Sequence, residues 1–438
     1  MTTTAPPVHR TGLLSVVAGL LFGLAGMSTS GVTVALPLLS HELAVPTGTA
    51  AWIISGYAVA LAVATPVHGR LADAVGIRLP LCLGTVLLAA GALGAALAPN
   101  FGLLMAARLV QGLGAAAVPV LGSALLSART PAESRGAALG RLAGVSALIS
   151  TLGPLLGGAA ATLGGWRFAV ALPVLAVLAV PYLWSRSVVP GDGARLDLVG
   201  AATVAVAATG LVLLIQSPSA GAVAAVVGAV LLVAGVPAAA LWVRHRPHGF
   251  LPQSVVRNAV VVRSSLCAAA IPASWFALLL GIPLALAKLG WTPLHTGLMM
   301  LPSAAVALAC PTVAGRMLAR VGPRRTLLAA CVVTAVGLVA AGVGIATDWV
   351  WLLAVAPATV TLAFGCGQPA MIAAVGGAVT ADRRSGAIGV ATLCFLAGAG
   401  IGSAVVGGFA PVLGSAAALF LLLVLPVAGI VTLALTKD

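Results

Sequence analysis

The stretch GRLADAVGIR (69–78) recurs as GRMLARVGPR (315–324), with glycine, arginine, valine, glycine and arginine at matching places in the two copies. Each copy is a short cationic segment between two long apolar runs. In the first copy, Gly76 supplies the backbone freedom that a tight reversal between two helices requires. The repeat predicts a chain that is built from two related halves.

The composition of the 438 residues excludes a water-soluble globular fold, because 61% of them are hydrophobic and only 7% are charged. The net charge of +14 is spread over many short segments, so we expect no nucleic-acid partner. The six cysteines all lie in apolar runs without metal-ligand spacing, and we expect no disulfide, metal site or cofactor. The class that remains is an all-α polytopic membrane protein.

Uncharged runs of about 18 residues or more can each span a bilayer as a helix. Ten such runs lie at 11–41, 43–69, 79–107, 109–128, 142–166, 168–185, 264–287, 289–315, 326–347 and 349–381. Two longer runs, 198–243 and 385–436, are expected to fold back at turns over 217–221 and 411–414. The pattern predicts fourteen transmembrane helices.

The cations predict the orientation, because lysine and arginine stay on the cytoplasmic side during insertion. With the N-terminus inside, nineteen of the 22 cations face the cytoplasm, Arg167 and Lys288 face outward, and Arg108 lies within a span. We therefore expect a multi-pass protein of the plasma (inner) membrane with both termini cytoplasmic.

The segment 69–78 resembles motif A of the major facilitator superfamily, whose pattern is G-x-L-A-D-x-x-G-x-R and which also follows a second span. The resemblance implies a gate in which Asp73 latches the two halves on the cytoplasmic side, near Ser385 and Gly386 in an outward-open state. The second copy departs from the pattern, because Ala319 stands where the aspartate would be. We also expect Gly69 to let two helices approach closely. The predicted gate residues are Gly69, Arg70, Asp73, Gly76, Arg78, Gly315, Gly322 and Arg324.

Two further segments resemble motifs of the same superfamily. The fourth span resembles motif B, R-x-x-Q-G-x-G, through Arg108, Gln111 and Gly112. An arginine at membrane depth is costly, so we expect a role in a cavity or proton relay, and snorkelling to the interface is the alternative. The run 153–158 resembles motif C, the antiporter signature, although Ile149 replaces its usual leading glycine. Its predicted helix-kink residues are Gly153, Pro154, Gly157 and Gly158, for which generic glycine-rich packing is the alternative.

Fourteen spans with motif C resemble the drug:proton antiporter branch of the superfamily. The resemblance implies two six-helix bundles at 11–186 and 249–436, with two extra central helices, 198–216 and 222–243, inside the linking region 187–248. Residues 1–10 and 437–438 are then the cytoplasmic termini. In the first-span motif D-x-T-x-x-N-V-A-L-P of this branch, Ser28, Ser30 and Thr33 replace the aspartate, threonine and asparagine.

That replacement leaves no acidic residue within a predicted span. The eight acidic residues fall at or beyond the two faces: Glu42, Asp73, Glu133, Asp192, Asp197, Asp348, Asp382 and Asp438. With Arg108 the one mid-membrane charge, we expect neutral or anionic substrates rather than lipophilic cations. Proton coupling would then use Asp73, water near Arg108, or a histidine such as His68, which a polar end cap also explains.

The substrate cavity is predicted from polar and aromatic side chains at membrane depth. Trp275 offers a broad apolar face with one hydrogen-bond donor. Each candidate could instead pack against a neighbouring helix. The predicted cavity residues are Ser28, Ser30, Thr33, Tyr57, Trp275, Phe276 and Gln368, together with Gln111 of motif B.

The leading hypothesis is a monomeric secondary active exporter of hydrophobic or amphipathic, antibiotic-like small molecules, working by alternating access with proton antiport in the lipid bilayer. An exporter of a metabolite such as an amino acid or sugar, or an uncoupled facilitator, is the alternative on the same fold. An enzyme would need converging catalytic side chains at one face, and the sequence offers none. A sensor or scaffold would leave the buried arginine unexplained.

Overall fold

The computed structural model describes residues 8–191, 193, 197–247, 249–380 and 383–435, with the backbone alone for 8–11, 132, 133, 136 and 385. Within those ranges every regular element is a helix. In chain order they are α1 (Val8–Glu42), α2 (Thr47–Ala50), α3 (Trp52–Val75), α4 (Arg78–Leu97), α5 (Phe101–Ala115), α6 (Ala117–Arg129), α7 (Ala132–Thr151), α8 (Gly153–Ala171), a 3-10 segment (Leu172–Ala179), α9 (Val180–Arg186), α10 (Leu198–Ala220), α11 (Ala222–His245), α12 (Gln253–Val256), α13 (Ala259–Lys288), α14 (Pro293–Met299), α15 (Leu301–Thr347), α16 (Val350–Gly377), α17 (Arg384–Leu413), α18 (Ser415–Leu422) and α19 (Val424–Leu435).

The protein is a multi-pass membrane protein. Twelve helical stretches in the described ranges are long and apolar enough to cross a bilayer. One of them, Pro293–Thr347, has 55 residues and contains Gly322 with non-helical dihedral angles. Another, Gly153–Arg186, contains non-helical Gly164 and Gly165. The predicted count of fourteen spans stays a prediction.

Several predicted span boundaries were wrong, because turns were placed at charged residues or at prolines, whereas glycines and a polar cap make them. Helix α10 continues through the predicted turn at 217–221 as far as Ala220, and only Gly221 (φ 87°) leaves the helix. Likewise α17 runs through Pro411 to Leu413, and Gly414 (φ 88°) makes the reversal. The run 79–107 is not one helix, because α4 ends at Leu97 and Asn100 caps α5 by accepting from Leu103 N at 3.0 Å. Predicted span 289–315 is also divided, between α14 and α15.

The helices run back and forth, so the chain reversals fall at two ends. We name the ends after one residue each. The Glu42 end holds the helix ends and glycine bends near Glu42, Asn100, Gly164, Gly221, Gly290, Asp348 and Gly414. The Gly76 end holds those near Gly76, Thr130, Ser187, Arg246, Gly322 and Ala378.

The largest buried apolar cluster joins the first and second halves of the chain at the Glu42 end. It contains Leu36 and Ile53 near the junction of α1 and α3, and Ile282 and Val406 from α13 and α17. Two other clusters each stay within one part of the chain, around Leu121 and around Phe395. The helices are therefore packed together most extensively at the Glu42 end.

Candidate functional site

Arg108 lies in the middle of α5 with no part of its side chain exposed. Its Nε donates to the Ile53 carbonyl at 3.0 Å, and its Nη1 donates to the Ser28 carbonyl at 2.8 Å. The guanidinium also lies over the Tyr57 ring, 4.4 Å from the ring centre, which is cation–π distance. A buried charge needs such partners, and Arg108 takes them from α1 and α3.

Gln111, one helical turn after Arg108 on α5, and the Ser28 side chain on α1 complete this network. The Gln111 side-chain oxygen accepts from Arg108 Nη1 at 2.6 Å, and its amide nitrogen donates to Ser28 Oγ at 3.2 Å. Tyr57 Oη donates to the Ala25 carbonyl at 2.7 Å. Gly112, also from motif B, faces the Tyr57 carbonyl, where an added Cβ would be 2.6 Å away. Five predicted site residues therefore meet where α1, α3 and α5 cross.

The network carries a positive charge that no described carboxylate balances. No described carboxylate forms an ion pair with Arg108, whose partners are carbonyl oxygens, an amide oxygen and an aromatic ring. Arg108 Nη2 is buried and makes no hydrogen bond to any described residue. The arrangement thus offers one unused donor on a positive group, which is suited to an oxygen acceptor or an anion.

The other predicted cavity residues are placed less uniformly. Ser30 and Thr33 are buried within helix contacts, since Ser30 Oγ donates to the Ser150 carbonyl at 2.9 Å and Thr33 Oγ1 to the Ser30 carbonyl at 2.8 Å. Trp275 and Phe276 on α13 and Gln368 on α16 are half-buried. The structure brings Ser28, Tyr57 and Gln111 to Arg108, and leaves these five outside that hydrogen-bonded network. Their role in a cavity stays a prediction.

The motif C glycines allow backbone contact on two sides of α8. A Cβ on Gly157 would lie 2.3 Å from the Gly31 carbonyl oxygen, and one on Gly153 would overlap Ser30 Oγ. On the other side, a Cβ on Gly158 would lie 2.4 Å from the Pro293 carbonyl oxygen. Gly297 of α14 meets the Pro154 carbonyl in the same way, at 2.4 Å. Segment 153–158 therefore packs on α1 and on α14, near the Glu42 end.

The two copies of the repeat adopt the same backbone geometry at their second glycine. Gly76 has φ 86° and ψ 168°, and Gly322 has φ 80° and ψ 172°. Two residues later, the Arg78 guanidinium lies over the Trp184 ring, 3.9 Å from its centre, and Arg324 Nη2 donates to the Leu433 carbonyl at 2.8 Å. The close approach expected at Gly69 is not seen among the described residues, because an added Cβ there would meet only Val120 Cγ1, at an ordinary 3.7 Å, and one on Gly315 would meet nothing within 4 Å.

The remaining gate residues lie at the Gly76 end. Arg70 Nη2 donates to the Gly249 carbonyl at 3.2 Å, and Asp73 is exposed on the last turns of α3. The Ser385 side chain, its predicted neighbour, lies outside the described residues. The latch by Asp73 stays a prediction.

Asp197 is a functional candidate that the sequence reading missed. Its carboxylate accepts from Gly200 N at 2.9 Å, Phe250 N at 2.7 Å and Trp242 Nε1 at 2.9 Å, so it caps α10 and holds the chain after α11. Burial raises the pKa of Asp197, but these hydrogen bonds and the charge of Arg246 outweigh it and bring the pKa below its usual 3.8. An aspartate directly before an apolar run is a helix-cap signal that could have identified it.

We expect Asp197→Asn to lower the unfolding temperature at pH 7, because an amide cannot accept all three bonds. A group with a lowered folded-state pKa stabilises the fold above its unfolded value of 3.8, and this contribution is lost as the pH falls through the lower folded-state pKa. The difference between variant and parent should therefore shrink below about pH 4. Thermal unfolding in detergent from pH 7 to pH 3 measures it. Asp348→Asn, at an exposed helix end, is the matched control.

The chain resembles known proteins over most of its length. The family model described as Major Facilitator Superfamily matches residues 18–197 and 264–438. "Multidrug resistance protein Stp" of Mycobacterium tuberculosis is 33% identical over 344 residues, which are 76% of this chain and 63% of that protein. "Efflux pump dotC" of Dothistroma septosporum is 34% identical over 170 residues, 38% of this chain and 29% of that protein. The chain thus covers less than two thirds of the length of these relatives.

A solved structure shares the fold. The crystal structure of a POT family transporter in complex with 5-aminolevulinic acid superposes with a TM-score of 0.68, over 96% of this chain and 94% of that one, at 16% sequence identity. The family model covers well over half of the sequence, including motifs A, B and C. The chain therefore belongs to the Major Facilitator Superfamily.

Proposed function

We propose that the protein is a secondary active exporter of hydrophobic or amphipathic, drug-like small molecules. It works by alternating access and proton antiport, as a transporter rather than an enzyme. The observation that carries the proposal is the buried Arg108 network at the crossing of α1, α3 and α5, in a chain whose relatives include a multidrug resistance protein and an efflux pump. Neither relative's name identifies a substrate for this chain, so the class of cargo is inferred from the site.

The proposed topology has fourteen transmembrane helices. Dividing 153–186 at Gly164 and Gly165, and 293–347 at Gly322, raises the twelve apolar stretches to fourteen crossings. The bundles are 11–186 and 249–436, and α10 and α11 form the extra pair in 187–248. The protein is a monomer in the plasma (inner) membrane with both termini cytoplasmic, which makes the Glu42 end the outer face.

The proposed conformational state is closed at that outer face. Support comes from backbone contacts between α8 and α14, where Gly158 meets Pro293 and Gly297 meets Pro154. The buried cluster around Leu36, Ile53, Ile282 and Val406 also lies at the Glu42 end. Export requires these contacts to separate when the cargo leaves.

Cargo in this proposal is neutral or anionic. At about 10 Å and an effective dielectric constant of about 20, two like charges repel by about 1.7 kcal/mol, which is more than tenfold in affinity. Arg108 supplies the positive charge, and no described carboxylate pairs with it. A cation would therefore bind more weakly than its neutral analogue.

Proton coupling uses Asp73, His68 or water near Arg108. His68 is buried, and its Nε2 is 3.0 Å from the Leu113 carbonyl oxygen, one residue beyond the motif B glycine Gly112. Its Nδ1 makes no hydrogen bond to any described residue. A histidine so placed connects the gate-proximal end of α3 to motif B, and it is the first of the three that we would replace.

Transport into everted membrane vesicles tests both the coupling and the cargo. We expect a neutral aromatic pyridine to accumulate when a proton gradient is imposed, and its N-methylated permanent cation to accumulate about tenfold less. The pair has nearly the same shape, so charge is the variable. Equal accumulation of the two compounds would contradict the assignment of cargo charge. Uptake that ignores the proton gradient would indicate a facilitator, and competition by amino acids or sugars a metabolite exporter.

A further inference from the structure

The helix pair α10 and α11 lies between the two segments matched by the family model, 18–197 and 264–438. Helix α11 is mostly exposed and packs on α10. Helix α10 instead contacts α2, α3 and α17. One face of the pair is thus part of the protein's interior.

Gln216 is the polar centre of that interior face. Its side chain is completely buried near the Glu42 end of α10. Its Nε2 donates to the Gly48 carbonyl at 2.9 Å, and its Oε1 accepts from Ser55 Oγ at 3.2 Å. A buried amide is costly unless both ends are paired, and here both partners belong to α2 and α3 of the first matched segment.

The same stretch of α10 lies against α17 of the second matched segment. A Cβ on Gly407 would be 2.9 Å from Gln216 Nε2 and 2.7 Å from Ala51 Cβ. A Cβ on Gly408 would be 2.6 Å from the Ile215 carbonyl oxygen. At its two glycines, α17 therefore packs directly on the α10 backbone and on the small side chain of Ala51, with the Gln216 amide between them.

We propose that α10 is part of the closure at the Glu42 end, and that Gln216 is the positioning residue that holds α2 and α3 onto α17. Because Gln216 contacts both matched segments, opening this end must break its bonds to Gly48 and Ser55 or its contact with Gly407 and Gly408. Helix α10 is then a brace that favours the closed state, and α11 packs on its outer side. This inference rests on the alternating access proposed above.

A labelling experiment on the full-length protein in lipid nanodiscs tests the brace. Ala51 is fully buried against Gly407, so a cysteine in Ala51→Cys reacts with a polar maleimide only when the Glu42 end opens. Labelling of the parent chain, whose cysteines all lie within the spans, is subtracted. We expect Gln216→Leu to raise the labelling rate about threefold to tenfold, the range expected for the loss of interhelical hydrogen bonds.

Two further variants make the result decisive. Ser55→Ala removes one donor and changes little volume, and we expect a smaller rise in the same direction. Ser217→Ala is the matched control, because Ser217 Oγ bonds only to the Leu214 carbonyl of its own helix, and its labelling rate should equal that of the parent. Equal rates in Gln216→Leu, Ser55→Ala and Ser217→Ala would overturn the brace. The readout needs no substrate, so a failure of the proposed export activity would show separately, as absent transport in the parent chain.

Discussion

Arg108→Ala is expected to reduce export at least a hundredfold while the protein stays folded in the membrane. The substitution removes the donors to the Ile53 and Ser28 carbonyls and to Gln111, and it removes the only charge described at this crossing of α1, α3 and α5. Charged hydrogen bonds contribute about 1.5 to 3 kcal/mol each, so two of them already correspond to that factor if they act on the transport cycle. Initial rates in everted vesicles, normalised to monodisperse protein, measure the loss.

Graded variants separate charge from packing. Arg108→Lys keeps the charge but lacks the planar fork, so it should recover little transport. Tyr57→Phe keeps the ring under the guanidinium and loses the hydroxyl that bonds to the Ala25 carbonyl, so it should retain most of the transport. Arg129→Ala is the control, because Arg129 is half-buried at the Gly76 end and donates to the Val188 carbonyl there, away from the Arg108 network. Normal transport by Arg108→Ala would reduce the residue to a packing role.

Gly76→Ala is expected to destabilise the protein far more than Gly322→Ala, although the two glycines share one backbone geometry. Both have φ near +80° to +86° with extended ψ, a region that costs a residue with a side chain about 1 to 3 kcal/mol. A Cβ on Gly76 would additionally lie 2.3 Å from the Val189 carbonyl oxygen, whereas one on Gly322 has no neighbour within 4 Å. The added clash is with backbone, which cannot move aside as a side chain does.

Thermal unfolding in detergent measures the pair. Gly322→Ala should lower the unfolding temperature by a few degrees, and Gly76→Ala should lower it several times as much or prevent recovery of folded protein. The difference isolates the contact with Val189 from the dihedral strain, since the strain is common to both variants. An equal fall in unfolding temperature for both variants would mean that the segment around Val189 moves away from the added Cβ without loss of stability.

The sequence predicted most where the chemistry is local or periodic. The helices were predicted from the apolar runs. The repeat predicted related segments, and its two matching glycines, Gly76 and Gly322, have nearly the same dihedral angles. The separation of three residues between Arg108 and Gln111 placed both on one helix face, which explains their contact. Turns were misplaced where Pro218 and Pro411 were interpreted as breaks, because both prolines are accommodated in helices that end at the next glycine.

Contacts between distant segments could not be predicted from one sequence. Gln216 has an unremarkable place in an apolar run, and its partners Gly48 and Ser55 are more than 150 positions away. Asp197 looked like one more interfacial acid, and its bond to Phe250 depends on how α11 returns to it. In both cases the polar group is explained by a tertiary partner that has no sequence pattern of its own.

The seam between α8 and α14 consists largely of main chain, since Gly158 faces Pro293 and Gly297 faces Pro154. Surfaces that interlock through side chains must reorganise many rotamers each time they part, and each rotamer carries an entropic term. A contact between backbones needs no such reorganisation, so α8 and α14 can separate and return without changing side-chain rotamers. An added methyl group at position 158 or 297 would lie 2.4 Å from a backbone oxygen, so Gly158→Ala or Gly297→Ala should shorten the lifetime of the joined state rather than change the choice of cargo.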